Sequence, residues 1–238
     1  MQEFLSKAKT AFFEILFPPI CIICSRNLIN EHEKNINLCE NCKTDIQKNN
    51  SLTCPTCKSR LPQNKNTCHR SSYYLAAATN YNDQKIRDLI WKLKYGKITA
   101  AAKPLSNLLS EHFNLLNLDI ENPIVIPIPL HKNRKAERGF NQAELIATHF
   151  AKNQNLKISD GILMRTKYTP PQAETKTAKE RHKNLENSFK IKNASVIENK
   201  TIILIDDVFT TGATAEAAIS VIKEHNPKKV IVAVIAHA

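Results

Sequence analysis

Glycine is scarce in this sequence, since Gly96, Gly139, Gly161 and Gly212 are the only four among 238 residues. Two common phosphate-binding turns, the P-loop and the GxGxxG turn of dinucleotide-binding folds, need several glycines within one short segment. Glycines this far apart cannot form either turn. The sequence therefore excludes nucleotide binding of these two kinds, and a phosphate site would have to use another loop.

Long apolar segments are absent as well. A helix that spans a membrane needs roughly 18 or more predominantly apolar residues in succession, and the sequence contains no such run. Near the N-terminus, "AFFEILFPP" is interrupted by Glu14 and is followed by cysteines rather than by a small-residue cleavage site, which argues against a secretory signal. We therefore expect a cytoplasmic, globular protein with one ordinary domain and one small accessory domain.

The N-terminal segment has the pattern of an amphipathic helix. The apolar side chains on one face of this helix are Phe4, Ala8, Phe12, Ile15 and Leu16. Two lysines, Lys7 and Lys9, lie outside that face. Such a helix can rest on an anionic membrane surface, which predicts peripheral contact with the inner membrane. Packing of the same face on the cysteine-containing region that follows is the alternative.

Cysteine spacing is the clearest metal signal. Six of the seven cysteines form the CxxC pairs Cys21/Cys24, Cys39/Cys42 and Cys54/Cys57. In a reducing compartment, an odd number of cysteines with this spacing is typical of metal binding rather than of disulfides. Because a 14-residue spacer separates the first two pairs, we expect Cys21, Cys24, Cys39 and Cys42 to form a closed tetrahedral zinc site.

A second zinc site is incomplete in cysteine. After Cys54 and Cys57 the sequence continues to "CHRS", where Ser71 stands in the place of a partner cysteine for Cys68. His69 can supply the fourth ligand, since imidazole nitrogen is a common zinc ligand. An empty second site and an interleaved pairing of the cysteines remain the alternatives.

Positive charge is unevenly distributed. The formal net charge is +12 and the pI is about 9.4, with an excess of +4 over residues 1–70 and +7 over residues 124–199. This distribution favours polyanionic partners, and a basic surface that only aids solubility is the alternative.

The chain divides into two parts near residue 70. Residues 1–70 contain short segments too small to fold on a hydrophobic core alone, so a bound metal would have to stabilise them. Residues 71–238 contain apolar runs typical of buried parallel strands, at 73–79, 124–128, 201–206 and 230–236. Helical spacing lies between these runs, as in Ile86, Leu89, Ile90 and Leu93. Alternating strands and helices predict an α/β fold with a doubly wound parallel sheet.

The segment "ILIDDVFTTGAT", residues 203–214, ends a predicted strand with two adjacent carboxylates. Asp206 and Asp207 repel each other, so this arrangement is costly unless a ligand, metal or donor meets them. We expect Thr214 to cap the next helix, whose first amides, with the loop before it, can cradle a phosphate. A tight turn with ordinary capping residues is the alternative reading.

This segment closely resembles the phosphoribosyl-pyrophosphate (PRPP) signature of the type I phosphoribosyltransferases. The resemblance covers residues 71–238. It implies a phosphoribosyltransferase-like fold in which Asp206 and Asp207 are the catalytic pair and hold the ribose 2′ and 3′ hydroxyls. It also implies a 5′-phosphate loop made of Thr210, Thr211, Gly212, Ala213 and Thr214.

Two further segments extend the resemblance. "VIPIPLHKNRKAERGFNQ", residues 125–142, is similar to the diphosphate loop and the helix after it, and "PPQAETKTAKERHKNL", residues 170–185, is similar to the flexible catalytic loop. The diphosphate ligands that the resemblance implies are His131, Lys132, Arg134, Arg138, Arg181 and Lys183. It also implies Mg²⁺ bound together with PRPP, because that cation stabilises the charge of a leaving diphosphate.

The whole layout resembles the ComF family of competence proteins. "FPPICIIC", "LCENC" and "CPTC" precede "IRDLIWKLKYGK", and the diphosphate and PRPP segments follow. The resemblance implies a zinc-ribbon domain over residues 1–70, a phosphoribosyltransferase-like domain over residues 71–238, and a role in natural transformation with single-stranded DNA and other competence proteins as partners.

Two functions stay open at this point. One is a DNA-binding competence module that keeps PRPP as an effector or structural ligand. The other is an active phosphoribosyltransferase acting on an unidentified base or amine acceptor. Basic charge in the zinc region favours the first, and the complete set of PRPP motifs favours the second. Tyr73 and Tyr74 are candidate stacking surfaces for bases, with burial in the core as the alternative.

Overall fold

The computed structural model describes residues 16–62, 68–167 and 187–238. A parallel five-stranded sheet with the order β1-β7-β6-β2-β3 forms the centre of the molecule, and β4 and β5 make a separate antiparallel pair. The strands are β1 Tyr74–Asn80, β2 Ile124–Pro127, β3 Lys157–Ile158, β4 Leu163–Arg165, β5 Phe189–Ile191, β6 Thr201–Phe209 and β7 Lys229–His237.

Seven α-helices are described. They are α1 Glu31–Ile36, α2 Glu40–Thr44, α3 Gln84–Lys94, α4 Ala102–Leu115, α5 Lys132–Arg138, α6 Gln142–Gln154 and α7 Ala213–Lys223. Short 3₁₀ turns occur at Thr99–Ala101 and Ala194–Val196. None of the helices in the described ranges is long and apolar enough to cross a membrane.

The sheet is buried on both faces, as its continuous apolar strands require. In β6, Ile203 and Ile205 join the core that α3, α4 and α6 cover, whereas Ile202 and Leu204 face the core beneath α7. All four apolar positions predicted for the helix at residues 84–94 are buried. The predicted doubly wound α/β fold is therefore confirmed, with strand ends that differ by one to three residues from the apolar runs.

The N-terminal region covers the outer edge of the sheet. An unpaired edge strand exposes a row of backbone donors and acceptors that can pair with another chain. Here Asn49 N donates to Ala78 O at 2.7 Å, and Thr53 N donates to Leu75 O at 2.9 Å. The amide side chain of Asn49 also donates to Ala77 O at 2.8 Å. The β1 edge is thus occupied by residues 48–53.

His112, a residue of α4, holds residues 48–53 against the edge of the sheet. Its Nδ1 lies 2.9 Å from the carbonyl oxygen of Asn49, so this nitrogen carries the proton and donates it. The ring is 1% exposed, and burial lowers the pKa of His112 below its ordinary value. The neutral ring is therefore the form that the folded state requires.

The two parts of the chain also share one hydrophobic core. Leu28, Ile36, Leu38 and Ile46 belong to the same buried cluster as the apolar faces of α3 and α4. The division after residue 70 stays a prediction drawn from the sequence, because in the structure residues 16–62 pack directly on the α/β part. Metal is consequently not the sole source of stability for the N-terminal region.

We expect Asn49→Ala to destabilise the folded protein. The substitution leaves the buried carbonyl of Ala77 without its side-chain donor, and an unsatisfied buried acceptor costs about 1–3 kcal/mol. Urea unfolding monitored by circular dichroism measures the loss. Asn50→Ala is the matched control, because Asn50 is the exposed neighbour. Equal stability of the two variants would contradict the role given to Asn49.

Candidate functional site

The two carboxylates lie in the second half of β6, toward the carboxyl edge of the parallel sheet. Ligands bind at this edge in open α/β sheets. The sequence predicted a strand that ends at the carboxylates, but β6 continues through Asp206 and Asp207 to Phe209. Asp207 is 3% exposed, whereas Asp206 is partly exposed. The backbone N of Asp207 donates to Asp206 Oδ1 at 2.8 Å.

Asp207 has the donors that a buried carboxylate needs. Lys94, the last residue of α3, forms an ion pair with it, and Gln142 Nε2 donates to its Oδ1 at 3.1 Å. Burial opposes ionisation of Asp207, but the charge of Lys94 and these hydrogen bonds outweigh burial and lower its pKa. Burial raises the pKa of Asp206, and the negative charge of Asp207 raises it further. One carboxyl ionises readily and its neighbour resists ionisation.

Lys94 and Gln142 are site residues that the sequence motifs did not single out. Lys94 stands within "IRDLIWKLKYGK" and Gln142 ends "KAERGFNQ", so both occur in segments that carry the family resemblance. The pairing with Asp207 itself can be seen only in the folded chain.

Three arginines form a charged group beside the carboxylates. Arg134 and Arg138 belong to α5, and Arg165 is the last residue of β4. Burial lowers the pKa of Arg138, which the charge of Asp207 opposes and the charge of Arg134 reinforces. Burial also lowers the pKa of Arg165, with Arg134 adding to the effect and Asp206 opposing it. Guanidinium groups that influence one another in this way make a site suited to an anion. Arg165 was missed because no motif includes it.

The other predicted diphosphate ligands differ in where they lie and in how exposed they are. His131 is buried and is the N-cap of α5, where its Nδ1 accepts a hydrogen bond from Asn133 N at 3.3 Å. Lys132 begins the same helix and is exposed. Arg181 and Lys183, together with the whole predicted catalytic loop of residues 170–185, lie outside the described residues. Among the described members of this set, Arg138 feels the charge of both carboxylates, and Arg134 lies close enough to Arg138 to affect its pKa.

The predicted phosphate loop leads from β6 into α7. Gly212 has φ of +87°, and a Cβ added there would lie 2.8 Å from Phe209 Cζ, so the turn requires glycine. The expectation that Thr214 caps the helix is wrong: α7 begins at Ala213, and Gly212 is its N-cap. The left-handed backbone at Gly212 makes this residue the N-cap, two positions before Thr214. Ala213 N reaches the hydroxyl of Thr211 at 3.4 Å, a weak contact that leaves these amides suited to an anion.

Four cysteine thiols of the N-terminal region come together as predicted. The sulfurs of Cys21, Cys24, Cys39 and Cys42 all lie within 4.8 Å of one another. A tetrahedron with metal–sulfur bonds of about 2.3 Å has sulfur–sulfur edges of about 3.8 Å, and Cys24 Sγ lies 3.7 Å from Cys39 Sγ. All seven cysteines are free thiols. This donor set fits a tetrahedral metal ion.

The second set also converges, and His69 belongs to it. Its members are Cys54, Cys57, Cys68 and His69, whose ligand atoms lie within 4.8 Å of one another. His69 Nδ1 lies 3.1 Å from Cys68 Sγ and 3.4 Å from Cys54 Sγ. Burial opposes ionisation of Cys54, yet hydrogen bonds from the backbone of Cys57 and from its neighbours lower the pKa of this thiol to about 5. A thiol that ionises this readily is a suitable metal ligand.

A buried glutamate supports the first cluster. Glu33 accepts hydrogen bonds from Glu40 N at 2.8 Å and Ile29 N at 3.3 Å, and it pairs with Arg26 at 3.1 Å. The backbone bond from Glu40 is the main reason why the pKa of Glu33 is lowered. Because Cys39 precedes Glu40, this carboxylate fixes the backbone that carries one of the four thiols.

Lys58, which lies next to the second cluster, contacts Phe209, the residue before the predicted phosphate loop. Lys58 follows Cys57, and its Nζ lies 3.9 Å from the ring centroid of Phe209, close enough for a cation–π contact. Tyr73 packs on the other side, with its ring centroid 6.5 Å from that of Phe209 and its hydroxyl 3.4 Å from Glu216 Oε1. Tyr73 is buried, which leaves it unavailable for base stacking.

Comparisons with known proteins agree with this geometry. The family model described as "Phosphoribosyl transferase domain" matches residues 95–238. Competence protein F of Haemophilus influenzae is 27% identical over 206 residues, covering 82% of this chain and 86% of that protein. Competence protein ComFC of Bacillus subtilis is 28% identical over 223 residues, covering 84% of this chain and 86% of that protein.

A third relative carries a different name. The DNA utilization protein YhgH of Escherichia coli is 26% identical over 207 residues, covering 83% of this chain and 87% of that protein. These relatives confirm the predicted resemblance to the ComF family over most of the chain. The chain therefore belongs to the phosphoribosyl transferase family.

Proposed function

We propose that this protein supports DNA uptake in natural transformation by binding PRPP at the β6 carboxylates and single-stranded DNA on its basic surface. The names of the relatives support the role in DNA handling. The observation that carries the PRPP part is one arrangement of groups. Two carboxylates, a glycine-dependent loop at a helix N-terminus and three arginines meet at one edge of the sheet.

Each part of that arrangement matches one part of PRPP. The carboxylates of Asp206 and Asp207 can accept hydrogen bonds from a ribose diol. Amides at the start of α7 suit a 5′-phosphate, and the guanidinium groups of Arg134 and Arg138 suit a diphosphate. Mg²⁺, when bound with PRPP, would neutralise part of the diphosphate charge.

A second candidate function is an active phosphoribosyltransferase. In that reaction a nitrogen of the acceptor bonds to C1′ of the ribose, the bond between C1′ and the diphosphate oxygen breaks, and the acceptor proton goes to a base. The specific observation in its favour is Asp206, whose raised pKa is suited to accepting a proton. The competence role is preferred because the relatives named for their function are named for competence and DNA use.

In the described part of residues 1–70, several of the positive charges are already paired with carboxylates. Arg26 pairs with Glu33, Lys34 pairs with Glu31, and Lys48 pairs with Glu111 at 2.6 Å. Ion pairs of this kind reduce the charge available to DNA phosphates. Arg60 and Arg70 are exposed, so they are the cations of this region that we propose for phosphate contacts.

Zinc is the metal that we propose for both cysteine clusters, because four thiolates, or three with an imidazole, are typical structural zinc ligands. Contact with the inner membrane and with other competence proteins also belongs to the proposal. The predicted amphipathic helix lies almost wholly outside the described residues. Leu16, its last apolar position, is exposed.

Loss of both carboxyl groups should abolish PRPP binding. We expect Asp206→Asn with Asp207→Asn to weaken PRPP affinity by roughly 100-fold or more, because hydrogen bonds to charged groups contribute about 1.5–3 kcal/mol each. Isothermal titration calorimetry measures the affinity. Asp206→Asn alone keeps the ion pair between Lys94 and Asp207. The single variant therefore tests the site even if the double variant does not fold.

The matched control for PRPP binding is Asp119→Asn with Glu121→Gln. Both residues are exposed and lie in the segment that leads into β2, at the opposite edge of the sheet. The control therefore also replaces two carboxyl groups by amides. Wild-type PRPP affinity in a folded Asp206→Asn protein and in the double variant would sink the proposal for this site.

Metal content tests the two clusters. We expect the full-length protein, purified without chelator, to contain two zinc ions per chain by elemental analysis. Cys42→Ala and His69→Ala should each lower the content to about one, because a structural zinc site needs four ligands. Ser71→Ala should leave it at two. Unchanged zinc content in His69→Ala would show that another group is the fourth ligand of the second site.

The salt dependence of DNA binding tests the phosphate contacts. For single strands the slope of log affinity against log salt is about −0.7 per neutralised phosphate. We expect Arg60→Gln with Arg70→Gln to flatten the slope by about 1.4 without changing PRPP affinity. Lys157→Gln with Lys223→Gln removes two exposed charges elsewhere and is the control. An unaltered slope in the arginine variant, or displacement of DNA by PRPP, would favour the transferase function instead.

A further inference from the structure

An exposed pair of aromatic side chains stands beside the β6 carboxylates. Trp91 is 58% exposed and Tyr95 is 64% exposed, although large aromatic side chains are usually buried for the most part. The two rings lie one helical turn apart at the end of α3, with centroids separated by 6.2 Å and planes at 44°. The buried face of the helix consists of other residues, so packing of α3 does not require these rings.

This aromatic pair is connected to the carboxylates. Lys94, which precedes Tyr95, forms the ion pair with Asp207. The guanidinium carbon of Arg138 lies 5.7 Å from the Tyr95 ring centroid, and Arg138 also donates to Gln142, the residue that binds Asp207. A ligand resting on Tyr95 would therefore be a direct neighbour of the proposed PRPP site without occupying it.

The charge around the pair is positive. Arg87, Trp91 and Tyr95 follow one another at intervals of four residues, which places them on one face of the helix. Arg87 and Lys97 are exposed, and Arg138 lies beside the ring of Tyr95. The carboxylate on the adjoining face, Asp88, is already paired with Lys92 at 2.8 Å. The face therefore offers two rings between cations.

We propose that Trp91 and Tyr95 are a stacking surface for unpaired bases of single-stranded DNA, next to the PRPP site. Proteins that bind single strands combine aromatic rings, on which bases stack, with cations that follow the phosphates. A stable protein partner would need about 800 Å² on each side, which is more than two side chains supply. This assignment rests on the proposed DNA binding and names the surface that performs it.

Stacking on Trp91 and Tyr95 would give a preference for single-stranded DNA, which charge alone does not explain. Phosphate contacts by Arg60 and Arg70 would hold any polyanion, whereas stacking requires bases that are not already paired. Trp91 and Tyr95 would thus distinguish single-stranded DNA from duplex DNA and from polyphosphate. They would also place the strand beside PRPP, so that both ligands are held at one edge of the sheet.

Trp91 is the single tryptophan of the chain, so its fluorescence reports on this surface in the full-length protein. We expect a saturable decrease of its emission on titration with oligothymidylate, and no change with an abasic phosphodiester of equal length. Tyr95→Ala should weaken oligothymidylate binding roughly 5- to 100-fold, as expected for the loss of one stacked base. Tyr95→Phe, which keeps the ring, should bind as the wild type does.

Phe17→Ala is the matched control, because Phe17 is an aromatic residue that is exposed elsewhere in the N-terminal region. It should leave oligothymidylate affinity unchanged. Labelled oligothymidylate, followed by anisotropy, measures binding independently of Trp91. Circular dichroism and zinc content establish that each variant is folded.

The outcomes separate this surface from the DNA-binding proposal. Binding by anisotropy with unaltered Trp91 emission, or wild-type affinity in Tyr95→Ala, would refute the stacking surface while DNA binding stands. Absence of oligothymidylate binding in the wild type would refute both. A change of Trp91 emission with anionic phosphatidylglycerol vesicles but not with oligothymidylate would identify the aromatic pair as a membrane contact and overturn the proposal.

Discussion

The buried ion pair between Asp207 and Lys94 is the interaction on which the site depends. A carboxylate with almost no exposure is costly unless it is paired and hydrogen-bonded, and Asp207 meets both conditions through Lys94 and Gln142. These two partners come from the end of α3 and the start of α6. The pair therefore joins two helices to the carboxyl edge of β6, and it determines where Tyr95 and Arg138 stand.

Local patterns predicted the elements of this fold well. Apolar runs located β1, β2, β6 and β7, because strands of a parallel sheet are buried on both faces and need no polar alternation. The spacing of Ile86, Leu89, Ile90 and Leu93 located α3 and its buried face. Cysteine spacing predicted both sets of candidate metal ligands, including His69, because two thiols with two residues between them can reach one ion.

The parts that the sequence did not predict depend on contacts between distant segments. Lys94, Gln142 and Arg165 reach the carboxylates only because α3, α6 and β4 pack where they do, and no spacing within a segment encodes that. Thr214 was expected to cap α7 from its residue type, but the left-handed backbone at Gly212 ended the turn earlier. The contact of Lys58 with Phe209 is of the same kind, since it links a cysteine loop to the phosphate loop across the fold.

The pairing of β1 has a consequence for how the chain acquires its structure during synthesis. In the sheet, β1 has β7 as its strand neighbour, so one side of β1 stays unpaired until residues 229–237 have been synthesised. Residues 48–53 pair with the other side of β1 and precede it in the chain, so they can cover that side first. The nascent protein therefore has one open strand edge until the end of synthesis, and unpaired edges of this kind invite association between chains.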